Sequence, residues 1–526
     1  MKILFYSPYS LDNNCLPMLL DEAIEYLQDK NNEVLFVTCS GEIKPCDLNY
    51  EQSSIRCKEC MFSSRLLLNK VKQPGFNHAE LSSFINQHTE DKIRQIKFDF
   101  DSIDDVKNIH YNGANIGLGV VSSYVSMTRN LEPHFNKTTR EFLNDALRAS
   151  AILAQITDNM IDTFKPDVLC MFNGRFSGLR PVMEVSLKKQ IKTEILECTF
   201  SSNREEQHKV KFINTLPHNI DNNTILIDEN WNSRDAEKER LASEFFEKRR
   251  KGEVASDAVH ISGQKHDLIP SNWDDSKRNF VIFNSSEDEF FCIGESFDKY
   301  KLFENQVKGI HYLIEKTASD PTIHYYLRVH PNLKNIKFNY HSGLTAIFES
   351  YSNITVIPSD SPVSTYKLID KCEKAIVFGS TAGVEANYWG KPVLLLAGSF
   401  YLHLNVAYYP KNLRELDALL VARLEPKPRL GSLKFALFIF GKRGMSYKHI
   451  NFNFKIFKIG NRQLQIARCF EYKGSAIPYL FLAFFFRLLN IVSHLIFKKV
   501  TIKKMMVEKE TPLINKQQFY LHGSRE

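Results

Sequence analysis

Short apolar runs alternate with longer stretches of helical periodicity along most of this chain. The runs 3–6 and 34–37 flank a segment, 18–27, whose apolar residues recur at helical spacing, and this predicts a strand–helix–strand unit. A second helical pattern, 138–164, leads into another apolar run at 168–172. The first half of the chain therefore predicts one α/β domain.

The alternation resumes after 230–278, a stretch rich in charged and turn residues in which we place the connection between two domains. The elements predicted beyond it are strands 280–283, 323–329, 354–357, 375–378 and 393–396, and helices 302–317, 364–371 and 382–388. Strands that alternate with helices in both halves predict an α/β fold of two doubly wound, Rossmann-like domains facing each other across a cleft. We assign residues 1–265 to the first domain and residues 275–411 to the second.

Charge divides the chain differently from the apolar pattern. The 526 residues carry a net charge of +7, yet residues 411–526 alone hold 22 Lys and Arg against 7 Asp and Glu, and the preceding residues are net acidic. An acidic body with a basic tail, 412–526, favours contact between the tail and an anionic partner. We expect a membrane surface and not nucleic acid, because the tail has no recognisable nucleic-acid-binding module.

The tail contains one apolar run, 476–497, which is long enough to cross a bilayer. Arg487, Asn490 and His494 interrupt it on a single helical stripe, and basic residues flank both ends. This pattern predicts a helix in the plane of an anionic membrane surface; the alternative is a core helix packed on the two domains. The first apolar run is too short for a signal peptide, so we expect a cytoplasmic protein, peripheral on the inner face of the cell membrane.

The segment 378–393 has the most specific pattern of polar and small residues. A predicted strand ends there in a turn of small residues that opens a helix, so backbone N–H groups and hydroxyls can bind phosphate oxygens. A carboxylate one turn into the helix can accept hydrogen bonds from ribose. The candidate ligands are Ser380, Thr381, Gly383, Glu385 and Lys391. The alternative is an ordinary strand-to-helix turn with a serine cap.

This segment resembles the donor-binding half of glycosyltransferases with the GT-B fold, particularly those of bacterial capsule and surface-polysaccharide synthesis. Residues 327–332 resemble the His-Pro motif that families using CMP-activated acidic sugars place on the nucleotide phosphate, and residues 283–290 resemble the loop that opens their second domain. The resemblance covers 280–410 well and the first domain in outline. The Asp/Glu-Asp/Glu-Gly acceptor motif of those families is not visible in the first half, so the donor and the catalytic base stay open.

Several polar residues in these segments suit the chemistry of glycosyl transfer. The leaving nucleotide phosphate needs positive or hydrogen-bonding groups, which Arg328, His330 and Lys391 can supply. The resemblance also places Ser285 and Ser286 in the donor-binding loop. For His330 the alternative is a histidine that caps a strand before a proline.

The acceptor hydroxyl needs a base that takes its proton. Asp288 and Glu289 lie at the end of a predicted strand and are the nearest candidates, although 287–289 also fits a charge run at a helix N-terminus. In the first domain, Arg175 follows a strand and can contact an acidic sugar or a phosphate; the alternative is a surface turn. Asp12, in the loop after the first strand, is another candidate base.

Four cysteines cluster near the beginning of the chain. Cys39, Cys46, Cys57 and Cys60 have the spacing C-x6-C-x10-C-x2-C, which suits a tetrahedral structural zinc site. Iron–sulfur ligation is the second choice. The alternative is a set of independent thiols. We expect no organic cofactor.

Taken together, the sequence predicts a glycosyltransferase that moves a sugar from a nucleotide-sugar donor to a growing, lipid-linked surface polysaccharide such as capsule or O-antigen. Its expected partners are the donor, a polysaccharide or lipid-linked glycan acceptor and an anionic membrane surface. Two alternatives stay open. One is a nucleotide-sugar epimerase on the same fold, and the other is a non-catalytic protein of polysaccharide assembly or export.

Overall fold

Two β-sheets, each built mainly from parallel strands, organise the computed structural model of the chain. The residues that the structure describes are 1–9, 15–50, 52–198, 208–232, 235–253, 261, 263–334, 348, 351–440, 445–459, 462–472 and 475–476. Helices separate the parallel strands in the sequence, so the fold class is α/β, as the alternating pattern predicts.

The strands are numbered in chain order. They are β1 (Lys2–Ser7), β2 (Glu33–Thr38), β3 (Phe76–Glu80), β4 (His110–Tyr111), β5 (Ala114–Asn115), β6 (Val168–Phe172), β7 (Lys192–Cys198), β8 (His208–Ile213), β9 (Arg278–Phe283), β10 (Ile323–Arg328), β11 (Ile354–Ile357), β12 (Lys374–Val377), β13 (Val393–Leu395), β14 (Met445–Ser446), β15 (Ile450–Ile459), β16 (Arg462–Tyr472) and β17 (Ser475–Ala476).

Both sheets have a point at which the strand order reverses. The first sheet has the order β14-β8-β7-β6-β1-β2-β3, in which β8 runs antiparallel to β7 and β14. The second has the order β11-β10-β9-β12-β13, and its strands are all parallel. The chain therefore changes direction between β1 and β6 in the first sheet and between β9 and β12 in the second. In open α/β sheets, ligands bind beyond the carboxyl ends of the strands at such points.

The helices cover both sheets. They are α1 (Cys15–Tyr26), α2 (Ser54–Leu68), α3 (Gln87–Arg94), α4 (Ile103–Lys107), α5 (Ile116–Thr128), α6 (Lys137–Phe164), α7 (Arg180–Lys188), α8 (Ile220–Trp231), α9 (Ala236–Lys251), α10 (Glu295–Asp298), α11 (Gln306–Lys316), α12 (Thr365–Lys371), α13 (Ala382–Tyr388), α14 (Leu413–Val421) and α15 (Leu430–Phe440).

Local sequence signals set the ends of the longest helix, α6. The side chain of Asn136 accepts a hydrogen bond from the backbone N–H of Thr139 at 3.0 Å and caps the first turn. At the other end Lys165 adopts a left-handed conformation, and Pro166 then prevents the helix from continuing. The apolar face of α6 lies in the core beside the first sheet.

Part of the region that the sequence analysis assigns to the first domain packs against the second sheet. Helices α8 and α9 lie within the range 1–265 assigned to the first domain, but their apolar residues pack with the second sheet. The ring of Phe246 stacks on that of Tyr388 at 4.0 Å, and Trp231 joins the same core. Apolar positions at helical spacing do not reveal which sheet a helix will cover.

The first part of the predicted tail is packed structure. Leu416 and Leu420 of α14 and Phe435 and Phe438 of α15 are buried in the core. Strand β14 then joins the far edge of the first sheet, beside β8. The chain thus returns from the second sheet to the first before β15 begins.

The predicted in-plane helix, 476–497, lies outside the described residues apart from Ala476. Within the described part of the chain, no helix is both long and apolar enough to span a bilayer.

Candidate functional site

Polar side chains at the carboxyl ends of strands from the two sheets meet each other. Arg175 follows β6, and its Nη1 donates a hydrogen bond to the carbonyl of Glu289, beyond β9, at 3.4 Å. Nη2 of the same guanidinium donates to the hydroxyl of Ser126 at 3.1 Å, and the group lies 4.5 Å from the ring centre of Phe176. Burial lowers the pKa of Arg175. The structure therefore brings Arg175 to the boundary between the sheets.

A second arginine, Arg129, crosses the same boundary. It is the residue that ends α5, and its Nε donates to Asp288 Oδ2 at 2.6 Å while Nη2 donates to Oδ1 at 3.2 Å. Nη2 also donates to Ser286 Oγ at 2.6 Å, and Nη1 donates to the carbonyl of Asn332 at 3.1 Å. No local motif in the sequence marks Arg129, because the residues that it contacts lie far along the chain.

The three carboxylates after β9 have three different environments. Asp288 is buried, and its two oxygens accept hydrogen bonds from Arg129 and Ser286. Burial raises the pKa of Glu287 to about 7, against the opposing charge of Lys301. Glu289 is exposed, and its Oε1 accepts a hydrogen bond from the Asn332 side chain at 3.0 Å. Of the two candidate bases in this loop, the structure presents Glu289 to solvent.

The serines that the sequence assigns to donor binding hold the loop in place. Ser285 is buried, and its hydroxyl donates to the carbonyl of Phe378 at 2.6 Å, which joins the ends of β9 and β12. Ser286 is buried as well and donates to Asp288 Oδ1 at 2.7 Å. Both hydroxyl groups therefore donate their hydrogen bonds within the protein, and their role in donor binding stays a prediction.

Arg328 and His330, the two residues predicted at the end of β10, also have different surroundings. Arg328 is buried, donates to the carbonyls of Pro358 and Ser361, and so braces the loop after β11. Burial lowers its pKa to about 10. His330 lies in the turn beyond the strand, and its Nδ1 accepts a hydrogen bond from the backbone N–H of Asn332 at 3.3 Å. A neutral imidazole that accepts at Nδ1 carries its proton on Nε2.

The turn between β12 and α13 lies at the switch point of the second sheet. Gly379 has φ of +90°, a conformation that favours glycine. Gly383 permits the close approach of Tyr401, because a Cβ at residue 383 would lie 2.6 Å from the tyrosine oxygen. Tyr401 in turn donates to the carbonyl of Ser380 at 2.6 Å. The turn is thereby fixed, with Thr381 exposed at its tip.

Glu385 and Lys391 do not join this edge of the sheet as ligands. Glu385 is buried, forms an ion pair with Arg249 at 3.2 Å and accepts a hydrogen bond from the Tyr366 hydroxyl. Lys391 lies just before β13, at the amino-terminal edge of the sheet, where it donates to the carbonyl of Cys372 at 3.1 Å. Its amino group therefore belongs to the opposite end of the strands from the candidate site.

In the first domain, Asp12 lies outside the described residues. The four clustered cysteines do come together, since they line one cavity with Tyr9, Arg56 and Met61. Their thiols are a donor set that suits zinc. In the described structure, however, no three His, Cys, Asp or Glu side chains are arranged to hold a metal ion. The zinc site stays a prediction.

Comparisons with known proteins were made on sequence and on structure. No protein-family model matches the chain, and no curated protein matches its sequence significantly. Among solved structures, it is similar to the KpsC beta Kdo 2,4 transferase of Thermosulfurimonas dismutans, with 14% identity and a TM-score of 0.33 over 52% of this chain and 79% of that chain.

Two further similar structures cover more of the chain. A UDP-GlcNAc 2-epimerase from Neisseria meningitidis, bound to UDP-GlcNAc, has 12% identity and a TM-score of 0.25 over 83% of this chain and 98% of that chain. The glycotransferase of kitacinnamycin has 11% identity and a TM-score of 0.22 over 84% of this chain and 95% of that chain. Likenesses at these scores carry no argument, so the function is argued from the site. The fold and the site define a class: an α/β protein with two sheets whose carboxyl edges share one polar site.

Proposed function

We propose that the protein is a glycosyltransferase of the GT-B type that takes its sugar from a nucleotide-sugar donor. One observation supports this most: polar groups at the carboxyl edges of the two sheets meet, through Arg175 and Arg129, beside the switch point of the second sheet. A transferase needs such a place, because donor and acceptor must be held together for the reaction.

The donor lies on the second domain in this proposal. The exposed Thr381 and the backbone of the fixed turn 379–382 bind the phosphates. His330, in the turn after β10 on the other side of β9, donates from Nε2 to the phosphate oxygen as the bond to the sugar breaks. Lys391, Glu385 and Arg328 are not part of this proposal, because their polar groups are engaged elsewhere.

The acceptor lies on the side of the first domain. Glu289 takes the proton from the attacking hydroxyl, since it is the exposed carboxylate of its loop and Asn332 orients it. Arg175 binds an acidic group of the donor sugar or acceptor. We propose a surface polysaccharide, lipid-linked and reached at the inner membrane face, as acceptor, because the basic region after residue 411 favours an anionic surface.

The test is a screen of nucleotide sugars for thermal stabilisation, with UDP and CMP as reference ligands. A binding nucleotide sugar is then incubated with glycan acceptors, and the products are identified by mass. Sugar transfer supports the proposal. Release of an epimeric nucleotide sugar without an acceptor would instead identify an epimerase, and the absence of both binding and turnover would favour a non-catalytic assembly protein.

Two variants locate the donor site. Thr381→Val should weaken nucleotide affinity about tenfold, since it removes a hydrogen bond to a charged group. Lys391→Gln is the matched control: it changes a polar residue at the other end of the same strands and should leave affinity unchanged. Equal effects of both substitutions would contradict the placement of the donor.

A further inference from the structure

Arg129 makes contacts to two separate loops of the second domain. Its left-handed backbone, with φ of 61°, ends α5 and directs the chain away from the helix. From there the guanidinium binds Asp288 and Ser286 in the loop after β9, and the carbonyl of Asn332 in the turn after β10. These guanidinium hydrogen bonds cross from the first domain to the second.

The geometry of these contacts requires arginine. Nε and Nη2 bind the two oxygens of Asp288 side by side, at 2.6 and 3.2 Å, and Asp288 is 5% exposed. Two-bond contacts of this kind fix orientation as well as position. The remaining nitrogen, Nη1, reaches Asn332 at 3.1 Å, so one planar group sets the spacing between two loops.

Asn332 carries this constraint to the two residues that the proposed function uses. Its side-chain amide donates to Glu289 Oε1 at 3.0 Å, and its backbone N–H donates to His330 Nδ1 at 3.3 Å. A shift of Asn332 therefore moves the carboxylate and alters the hydrogen bond that fixes the histidine ring.

We infer that Arg129 is a positioning residue: it clasps the loops after β9 and β10 across the domain boundary and so holds Glu289 and His330 in place. The catalytic consequence rests on the proposed function, whereas the clasp does not. Arg129 itself need not touch a substrate.

Hydrogen exchange of the ligand-free protein tests the clasp. Arg129→Met should raise amide exchange at least tenfold in peptides covering 284–292 and 328–334, because both loops lose their contact with α5. Arg140→Met is the matched control. Arg140 also binds two carbonyls and a carboxylate, those of Phe100, Phe135 and Asp101, but all lie in its own domain. Unchanged exchange in both loops of the Arg129 variant would overturn the clasp.

Kinetics with the donor found in the screen test the positioning role. Arg129→Met should lower kcat at least tenfold and change KM for the donor less than twofold, since the turn 379–382 is untouched. Arg129→Lys should recover part of kcat only, because an ammonium cannot bind both carboxylate oxygens side by side while reaching Asn332.

An unchanged kcat in Arg129→Met would overturn the positioning role. Failure of the proposed function gives a different result, because the wild-type protein then transfers no sugar. The hydrogen-exchange experiment on the ligand-free protein still tests the clasp in that case. Ser286→Ala removes two hydrogen bonds from the same network, those to Arg129 and Asp288, and keeps the ion pair. It provides a milder variant should Arg129→Met fold poorly: faster exchange is expected, and unchanged exchange would again contradict the clasp.

Discussion

The carboxyl edges of the two sheets stabilise their loops by different chemistry. At the second sheet, charge predominates: the half-buried Arg129 and the buried Asp288 form an ion pair that crosses the domain boundary. At the first sheet, hydroxyl groups surround a carboxylate. Asp47 accepts hydrogen bonds from Tyr9 at 2.7 Å and Ser177 at 2.9 Å, and four thiols line the adjoining cavity.

The two edges therefore suit different ligands. The exposed hydroxyl of Thr381 and the backbone N–H groups of the turn 379–382 at the second edge suit an anion such as a nucleotide phosphate. At the first edge, a carboxylate and the hydroxyl groups around it are of the kind that hydrogen-bond the hydroxyls of a sugar. The proposed division into donor and acceptor sides follows from this contrast, and the predictions below can break or sharpen it.

The largest expected effect concerns the cysteine cavity of the first edge. If Cys39, Cys46, Cys57 and Cys60 turn inward and hold zinc, as their spacing predicts, purified protein should contain about one zinc per chain. Changing Cys57 and Cys60 to Ser should then remove the metal and about 10 kcal/mol of metal-binding free energy. Metal analysis of protein prepared under reducing, chelator-free conditions measures the content.

The matched control for this prediction is Cys292→Ser, which alters a free cysteine beside the second sheet and should keep the metal. Wild-type protein that contains neither zinc nor iron would show that the thiols are independent. The first edge would then be stabilised by hydrogen bonds and packing alone.

The next largest effect concerns the ion pair of the second edge. Asp288→Leu should lower the free energy of unfolding by about 3 kcal/mol, because it leaves Arg129 largely enclosed without its carboxylate partner. Urea unfolding measures the change. Asp298→Leu, at a more exposed ion pair of the same domain, is the control and should cost less than about 1 kcal/mol. Equal costs would remove the contrast between the two edges.

A smaller effect depends on pH. Burial raises the pKa of Glu287 to about 7 in the folded protein, so the folded state holds this proton more tightly than the unfolded chain. Its stabilisation is complete below about pH 4.3 and is lost as the pH rises through 7. Glu287→Gln should therefore match the wild type at pH 4 and exceed its stability at pH 8 by about 2 kcal/mol, roughly half of the ~3.7 kcal/mol that the full pKa difference would give, because solvent screens this half-buried side chain.

Unfolding midpoints measured at both pH values test this prediction. The exposed neighbour Glu289 offers a control, since Glu289→Gln should not produce the same gain in stability at pH 8. A Glu287→Gln variant that is less stable than the wild type at pH 8 would show that the ionised carboxylate stabilises the loop.

The sequence predicts the elements of this fold better than its site, for physical reasons. Strong apolar runs such as 168–172 and 280–283 become buried strands with nearly the predicted bounds. Strand β3, Phe76–Glu80, is not predicted, because it lies at the sheet edge and has no apolar run: Phe76 is its single large apolar residue. Edge strands need not be apolar, so the pattern carries no signal for them.

The site depends on contacts that local patterns do not contain. The prediction of a first-turn carboxylate at Glu385 is correct in its position, but Arg249, from a helix 136 residues earlier in the chain, occupies its oxygens. Arg129 and Asp288 are likewise 159 residues apart. Spacing along the chain identifies which side chains lie near a strand end, whereas tertiary packing decides which of them remain available to a ligand.

The smallest expected effect concerns one hydrogen bond of the first edge. Tyr9 is buried, and its hydroxyl donates to Asp47 beside the hydroxyl of Ser177. Tyr9→Phe keeps the ring and removes this bond to a charged acceptor, which should lower the free energy of unfolding by about 1.5 kcal/mol. Tyr50→Phe is the control, because this ring is not buried and should lose less than about 0.5 kcal/mol. Urea unfolding of both variants gives the difference. A cost near 3 kcal/mol for Tyr9→Phe would show that the hydroxyl groups around Asp47 stabilise one another. The loss of this one hydroxyl would then cost as much free energy of unfolding as the loss of the Asp288 carboxylate at the second edge.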